Sequence, residues 1–93
     1  MEISFDPVKS RKNEVLRGLG FDRVAGFDFA SALFRVDDRR DYGEVRWQAL
    51  GCRSGRVHSL VFTETATGIR VISFRKANIR EVRRYDESSK SRS

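Results

Sequence analysis

Residues 44–74 read EVRWQALGCRSGRVHSLVFTETATGIRVISF, and the fold class turns on this stretch. Through residues 44–50 polar and apolar side chains alternate. That is the pattern of a half-buried strand with Val45, Trp47 and Ala49 on one side. Residues 52–55 end in Ser54-Gly55 and read as a turn. Residues 56–63 read as a second strand, apolar on both faces around Leu60, Val61 and Phe62, so it belongs in the middle of a sheet. Residues 64–68 turn the chain again, and residues 69–74 make a third strand of the same antiparallel meander.

Upstream, Leu33-Phe34-Arg35-Val36 can start a further strand, and residues 37–41 form a charged turn. Residues 2–5 read as a short strand with Ile3 and Phe5 on one face. Asp6-Pro7 then starts a helix: a carboxylate caps the free amides, and proline follows where its missing donor does no harm. Val8, Val15, Leu16 and Leu19 form the expected buried stripe of that helix, with Lys9, Lys12 and Arg17 opposite. Gly18 and Gly20 end it, and residues 21–29 read as a second short helix that Gly26 weakens. Downstream, Asn78 and Glu81 make a capping-box start for a last helix whose stripe is Ile79, Val82 and Tyr85 or Asp86. From Asp86 on the chain reads as polar tail, which gives one domain over residues 1–87 and a disordered tail over 88–93. The expected fold is α+β: a short strand and two helices, then an antiparallel sheet of three to four strands, then a C-terminal helix. Its helices cover one face of the sheet, which leaves the other for a partner or a second copy of the chain.

At 93 residues the chain is a single small domain, and 11% aromatic residues suffice to seed its core. No apolar run approaches the length of a membrane span. The N-terminal stretch has no apolar signal-peptide core, so the expected compartment is the cytoplasm. Cys52 is the one cysteine and His58 the one histidine, so neither an internal disulfide nor a zinc cluster can form. No glycine-rich phosphate loop is present, and no cofactor or metal is expected. The charge is uneven. Residues 1–45 carry eight Lys/Arg and nine Asp/Glu, net −1, whereas residues 46–93 carry eleven and four, net +7. A basic half of this kind points to a polyanion, nucleic acid first, or to an acidic protein.

Several segments in order resemble the BrnT family, the toxin half of the bacterial BrnT/BrnA type II toxin–antitoxin modules. Phe5, Asp6, Pro7, Lys9 and Asn13 match its opening. Arg46-Trp47-Gln48-Ala49-Leu50-Gly51 matches its R-W-x-x-L/I-G strand, and Gly55-Arg56 with the run to Thr63 matches the next. Ile69-Arg70-Val71-Ile72-Ser73 and Arg75-Lys76-Ala77 match its I-R-I-I-S-A-R-x-A signature, and Glu81 and Tyr85 match its last helix. The chain departs at Leu16-Arg17-Gly18, where the family often has Lys-His-Gly, and at Thr65, Phe74 and Val82. The resemblance implies a RelE-like fold and a metal-independent endoribonuclease that halts translation. It implies RNA as substrate (mRNA, free or on the ribosome). It also implies a BrnA-type antitoxin with a DNA-binding domain, through which operator DNA is met only indirectly.

Cleaving RNA without a metal requires a base for the ribose 2′-OH, an acid for the leaving oxygen, and cations for the charged phosphorane. Arg75 and Arg80 are the expected transition-state stabilisers, because a guanidinium matches phosphate bidentately. Glu81 and Tyr85 are candidates for proton transfer or for orienting an arginine, and Lys9 completes the phosphate site. Lys76, Arg83, Arg84, Arg70 and Lys12 are the expected RNA-binding residues. Each has a plainer alternative: Glu81 as a helix cap paired with Arg84, Tyr85 as packing, Arg83 and Arg84 as a solvated face. Trp47 reads as core rather than a base-stacking platform. His58 lies mid-strand among apolar neighbours, at a position that is usually apolar in the family, and Cys52 has no evident catalytic partner. A non-catalytic basic module that binds nucleic acid or an acidic protein is the rival function.

Overall fold

The structure, a computed structural model, describes residues 1–91. In chain order the elements are β1 (Glu2–Ser4), α1 (Pro7–Arg17), a 3₁₀ helix (Phe21–Gly26), β2 (Leu33–Val36), β3 (Trp47–Arg53), β4 (Arg56–Glu64), β5 (Gly68–Lys76) and α2 (Ile79–Ser91). The strands form one five-stranded sheet in the order β1-β5-β4-β3-β2. The α+β class holds, and the antiparallel meander runs from β2 to β5. The strand count is corrected to five: β1 joins the sheet as a parallel edge, with Ile3 opposite Ile69.

The β3–β4 hairpin closes on Ser54 and Gly55, at φ 51° and 74°. Both lie in the left-handed region, as the two-residue turn that follows strand twist requires. β3 begins at Trp47, so residues 44–46 lie outside the strand that the alternation suggested. The second helix is a 3₁₀ segment of six residues that stops at Gly26 rather than continuing to Phe29.

One face of the sheet is apolar. Ala49, Leu60, Phe62, Ile69, Val71 and Phe74 pack there against Leu19, Phe21, Val24 and Phe27. Phe27 meets Phe74 edge-on at 6.2 Å between ring centroids. Gly51 makes that approach possible, because a Cβ there would lie 2.6 Å from the Phe27 ring. Trp47 belongs to this side, as its alternation suggested, and its indole donates to Glu64 at 3.1 Å.

The other face is covered by α2, which corrects the expectation that only one face would have a helical cover. A register shift makes the two faces of β5 differ. Ser73 is paired with Val61 but Val71 with Phe62, so Ile72 is an extra residue. Strict alternation from Ile69 and Val71 would carry residue 75 to the apolar face. The extra residue resets the alternation, so that Phe74 points into the core and Arg75 toward α2.

Both helices are held through polar residues, against the expected apolar stripes. In α1 the buried residue is Ser10, while Val8, Val15 and Leu16 are 62%, 71% and 81% exposed. Ser10 Oγ accepts from the Phe21 amide, and Asn13 Nδ2 donates to the Leu19 and Phe74 carbonyls, both at 2.7 Å. In α2 Glu81 is buried and Ile79 is exposed. The helix begins with the expected reciprocal cap: Glu81 N donates to Asn78 Oδ1 and Asn78 N to Glu81 Oε1, both at 2.9 Å. It continues past Asp86 to Ser91, so the stretch read as tail is largely helical; residues 92–93 lie outside the described residues.

Candidate functional site

The side chains that α2 and the second face bring together are mostly charged. Register sets the frame: Arg35 on β2 lies opposite Gln48 on β3, Leu50 opposite Ser59 on β4, and Ser59 opposite Arg75 on β5. Arg75 donates to Glu81 through both terminal nitrogens, Nη1 to Oε1 at 2.7 Å and Nη2 to Oε2 at 3.0 Å. Gln48 Nε2 donates to Ser59 Oγ and to Glu81 Oε2, both at 3.0 Å. Gln48 Oε1 accepts from Arg35 Nε at 2.9 Å and from Arg84 Nη2 at 3.1 Å. One glutamine amide thus links two arginines, a serine and a carboxylate, and through that carboxylate a third arginine. The buried Nε–H of Arg84 has no hydrogen-bond partner among the described residues.

Two ionic consequences follow. The Arg75 guanidinium first, then the Asn78 amide and Gln48, outweigh burial and hold the Glu81 carboxyl at about 2. Glu81 is therefore ionised at neutral pH. It can orient Arg75, but it is a weak base and cannot supply a proton. The three guanidiniums against this one carboxylate leave the cluster with two uncompensated positive charges.

Of the residues singled out from sequence, Arg75, Glu81 and Arg84 meet in this cluster. Arg84 is half-buried on Gln48, not on a solvated face, and Glu81 pairs with Arg75, not with Arg84. Arg70, opposite Thr63, shares the Arg75 face of β5 and is exposed. Arg80 and Arg83 are exposed on α2, outside the hydrogen-bonded cluster. Lys9 is exposed on the side of α1 that carries Asn13, four residues on, and Asn13 is tied to the carbonyl that precedes Arg75. Lys12 is exposed on the outer part of α1. Lys76 lies opposite His58, on the other side of β5 from Arg75.

Tyr85 sits one helical turn beyond Glu81, in a separate small cluster. Its hydroxyl lies 3.5 Å from Ser31 Oγ and accepts from Cys52 Sγ at 3.7 Å, and Ser31 Oγ donates to Asp28 at 2.7 Å. Ser31 favours the phenolate, but Cys52 and burial outweigh it, so Tyr85 titrates above an ordinary phenol and is protonated at neutral pH. His58 is buried on the apolar side against Phe74, at 5.3 Å between rings. Its Nδ1 contacts the Arg56 carbonyl at 2.8 Å, and burial lowers its pKa. It faces away from Arg75.

Sequence reading missed Arg35, Gln48 and Ser59. Gln48 had a signal. It shares a strand face with the apolar Leu50, and a lone amide there needs partners. Among the described residues no group of three or more His, Cys, Asp or Glu could hold a metal ion, and no helix is long and apolar enough to cross a membrane.

A protein-family model described as the ribonuclease toxin BrnT of type II toxin–antitoxin systems matches residues 5–81. No curated protein matches the chain.

Proposed function

The chain belongs to the BrnT family of ribonuclease toxins of type II toxin–antitoxin systems, and from that membership we propose a metal-independent endoribonuclease that cleaves RNA at the Arg75 face of the sheet. The fold we propose is RelE-like. The observation that carries the reading is the excess positive charge of the Arg35, Arg75 and Arg84 cluster, in which Arg35 is exposed and Arg75 and Arg84 are half-buried beside α2. A phosphorane gains negative charge as the 2′-oxygen attacks phosphorus. Preorganised guanidiniums stabilise that charge more than they stabilise the ground state.

The roles divide by ionisation. Arg75 contacts the scissile phosphate, held in orientation by the bidentate Glu81 carboxylate. Glu81 is thus a positioning residue rather than the acid. Tyr85, protonated at neutral pH, is assigned proton donation to the leaving 5′-oxygen, and the proton released by the attacking 2′-OH passes to solvent water, since Glu81 is too weak a base to take it. Arg35, which is exposed on β2, and Arg84 hold the flanking phosphate. Arg70, Arg80, Arg83, Lys76 and Lys12 supply the wider field that draws RNA in, and Lys9 approaches the site from α1. Cleavage of messages halts translation. A cognate antitoxin, BrnA-type and carrying a DNA-binding domain, neutralises the toxin.

The test is cleavage of a defined free RNA in EDTA. Wild type is expected to leave 2′,3′-cyclic phosphate ends, and Arg75→Ala to slow cleavage by about 10²–10³-fold. Cleavage that survives Arg75→Ala in a folded protein would remove the site from this face. Absence of cleavage on free RNA and on translating ribosomes alike would favour the non-catalytic basic module.

A further inference from the structure

We propose that the outward face of α1 docks an acidic amphipathic segment of the antitoxin; this rests on the toxin reading, which supplies the partner. Val8, Lys12, Val15 and Leu16 follow one another at the spacing of a single helical face, so Lys12 lies within the stripe rather than opposite it as expected. The three apolar members are exposed by 62%, 71% and 81%. Such a stripe ordinarily faces the core, and here the helix cannot turn to bury it. Asn13 and Ser10 fix the opposite side by hydrogen bonds to Phe74, Leu19 and Phe21. Arg11, Lys12, Val15 and Leu16 line a shallow depression of about 470 Å³ on this face.

Charge selects the occupant. α1 carries Lys9, Arg11, Lys12 and Arg17 against Glu14 alone, net +3. A second copy of the same helix would set positive charge against positive charge. An acidic segment with apolar residues at matching spacing satisfies both the stripe and the flanking cations. The long stems of Lys12 and Arg11 extend the apolar surface toward their charged ends.

The experiment measures binding of the purified cognate antitoxin to the full chain by titration calorimetry, using wild type and Val15→Gln/Leu16→Gln. Glutamine keeps helix propensity and removes the apolar contact. The double variant is expected to bind about 100-fold more weakly, with RNA cleavage and the circular dichroism spectrum unchanged. Arg11→Glu is expected to slow association at low salt and to lose that effect at high salt. Unchanged affinity in the double variant would overturn the docking site and leave the toxin reading standing. An antitoxin that fails to bind wild type would overturn the toxin–antitoxin reading itself. A wild-type dimer in sedimentation that the double variant converts to monomer would assign the face to a second copy instead, and overturn the proposal.

Discussion

Phe74 and Arg75 are neighbours on β5, yet they belong to regions that cohere in different ways. Phe74 is wholly buried between Phe27 and His58, where area removed from water and close contact do the stabilising. Arg75 faces a cluster in which almost every contact is a directed hydrogen bond. An apolar interior tolerates many sequences of the right volume. A charged network does not, because losing one member leaves another buried without its partner. The apolar face therefore supplies general stability, and the polar face supplies a fixed geometry of guanidiniums.

The sharpest test of that contrast is Phe74→Ala, which should cost about 3–5 kcal/mol in urea denaturation. A loss below about 1 kcal/mol would mean that the apolar face does not carry the fold. Next comes acid. Glu81 has a folded pKa of about 2 against 4.5 for the unconstrained group. Its contribution is present above the unfolded value and is lost as pH falls through the folded one. About 3 kcal/mol should disappear between pH 4.5 and 2, and Glu81→Gln should lack that share of the decline. At neutral pH the same substitution should cost about 2–3 kcal/mol and lower cleavage, because Arg75 loses its bidentate partner. Asn13→Ala removes the two 2.7 Å bonds that secure α1 and should cost about 1–3 kcal/mol, read by faster amide exchange in that helix. Smallest is Leu16→Ala. Its side chain touches little, so stability should stay within about 0.5 kcal/mol; a large loss would show that the α1 stripe is packed after all.

The apolar face was legible in the sequence because alternation reports burial. Trp47, Ala49, Leu60 and Phe62 fell where their spacing put them. The second face was not legible for the same reason. Apart from the buried apolar Leu50 and Val61, its members are Gln48, Ser59, Glu81 and three arginines, residues whose default is solvent. The helix stripes misled because Ser10, Asn13 and Glu81 anchor by bond direction, which hydrophobic periodicity does not register. The extra residue at Ile72 also escaped, although it decides which side of β5 Arg75 takes. Arg75 and Glu81 were each singled out, through motif position and residue chemistry, but Arg75 was coupled with Arg80 and Glu81 with Arg84, whereas the structure pairs Arg75 with Glu81. The sequence signal at Gln48, a lone amide on an apolar strand face, did not show that it joins them to Arg35 and Arg84.

The first strand of the chain also bears on how the protein comes into being. Among the described residues β1 finds its one strand partner in β5, across 65 residues of chain. During synthesis the leading segment must wait, unpaired, until nearly everything else has left the ribosome. Arg75 lies on that same late strand, and Glu81 follows it. A nascent chain therefore lacks the complete Arg75–Glu81 cluster while most of it is being made. The interval between emergence of β5 and closure of the sheet is the period in which a waiting partner could meet the protein before it is competent to act.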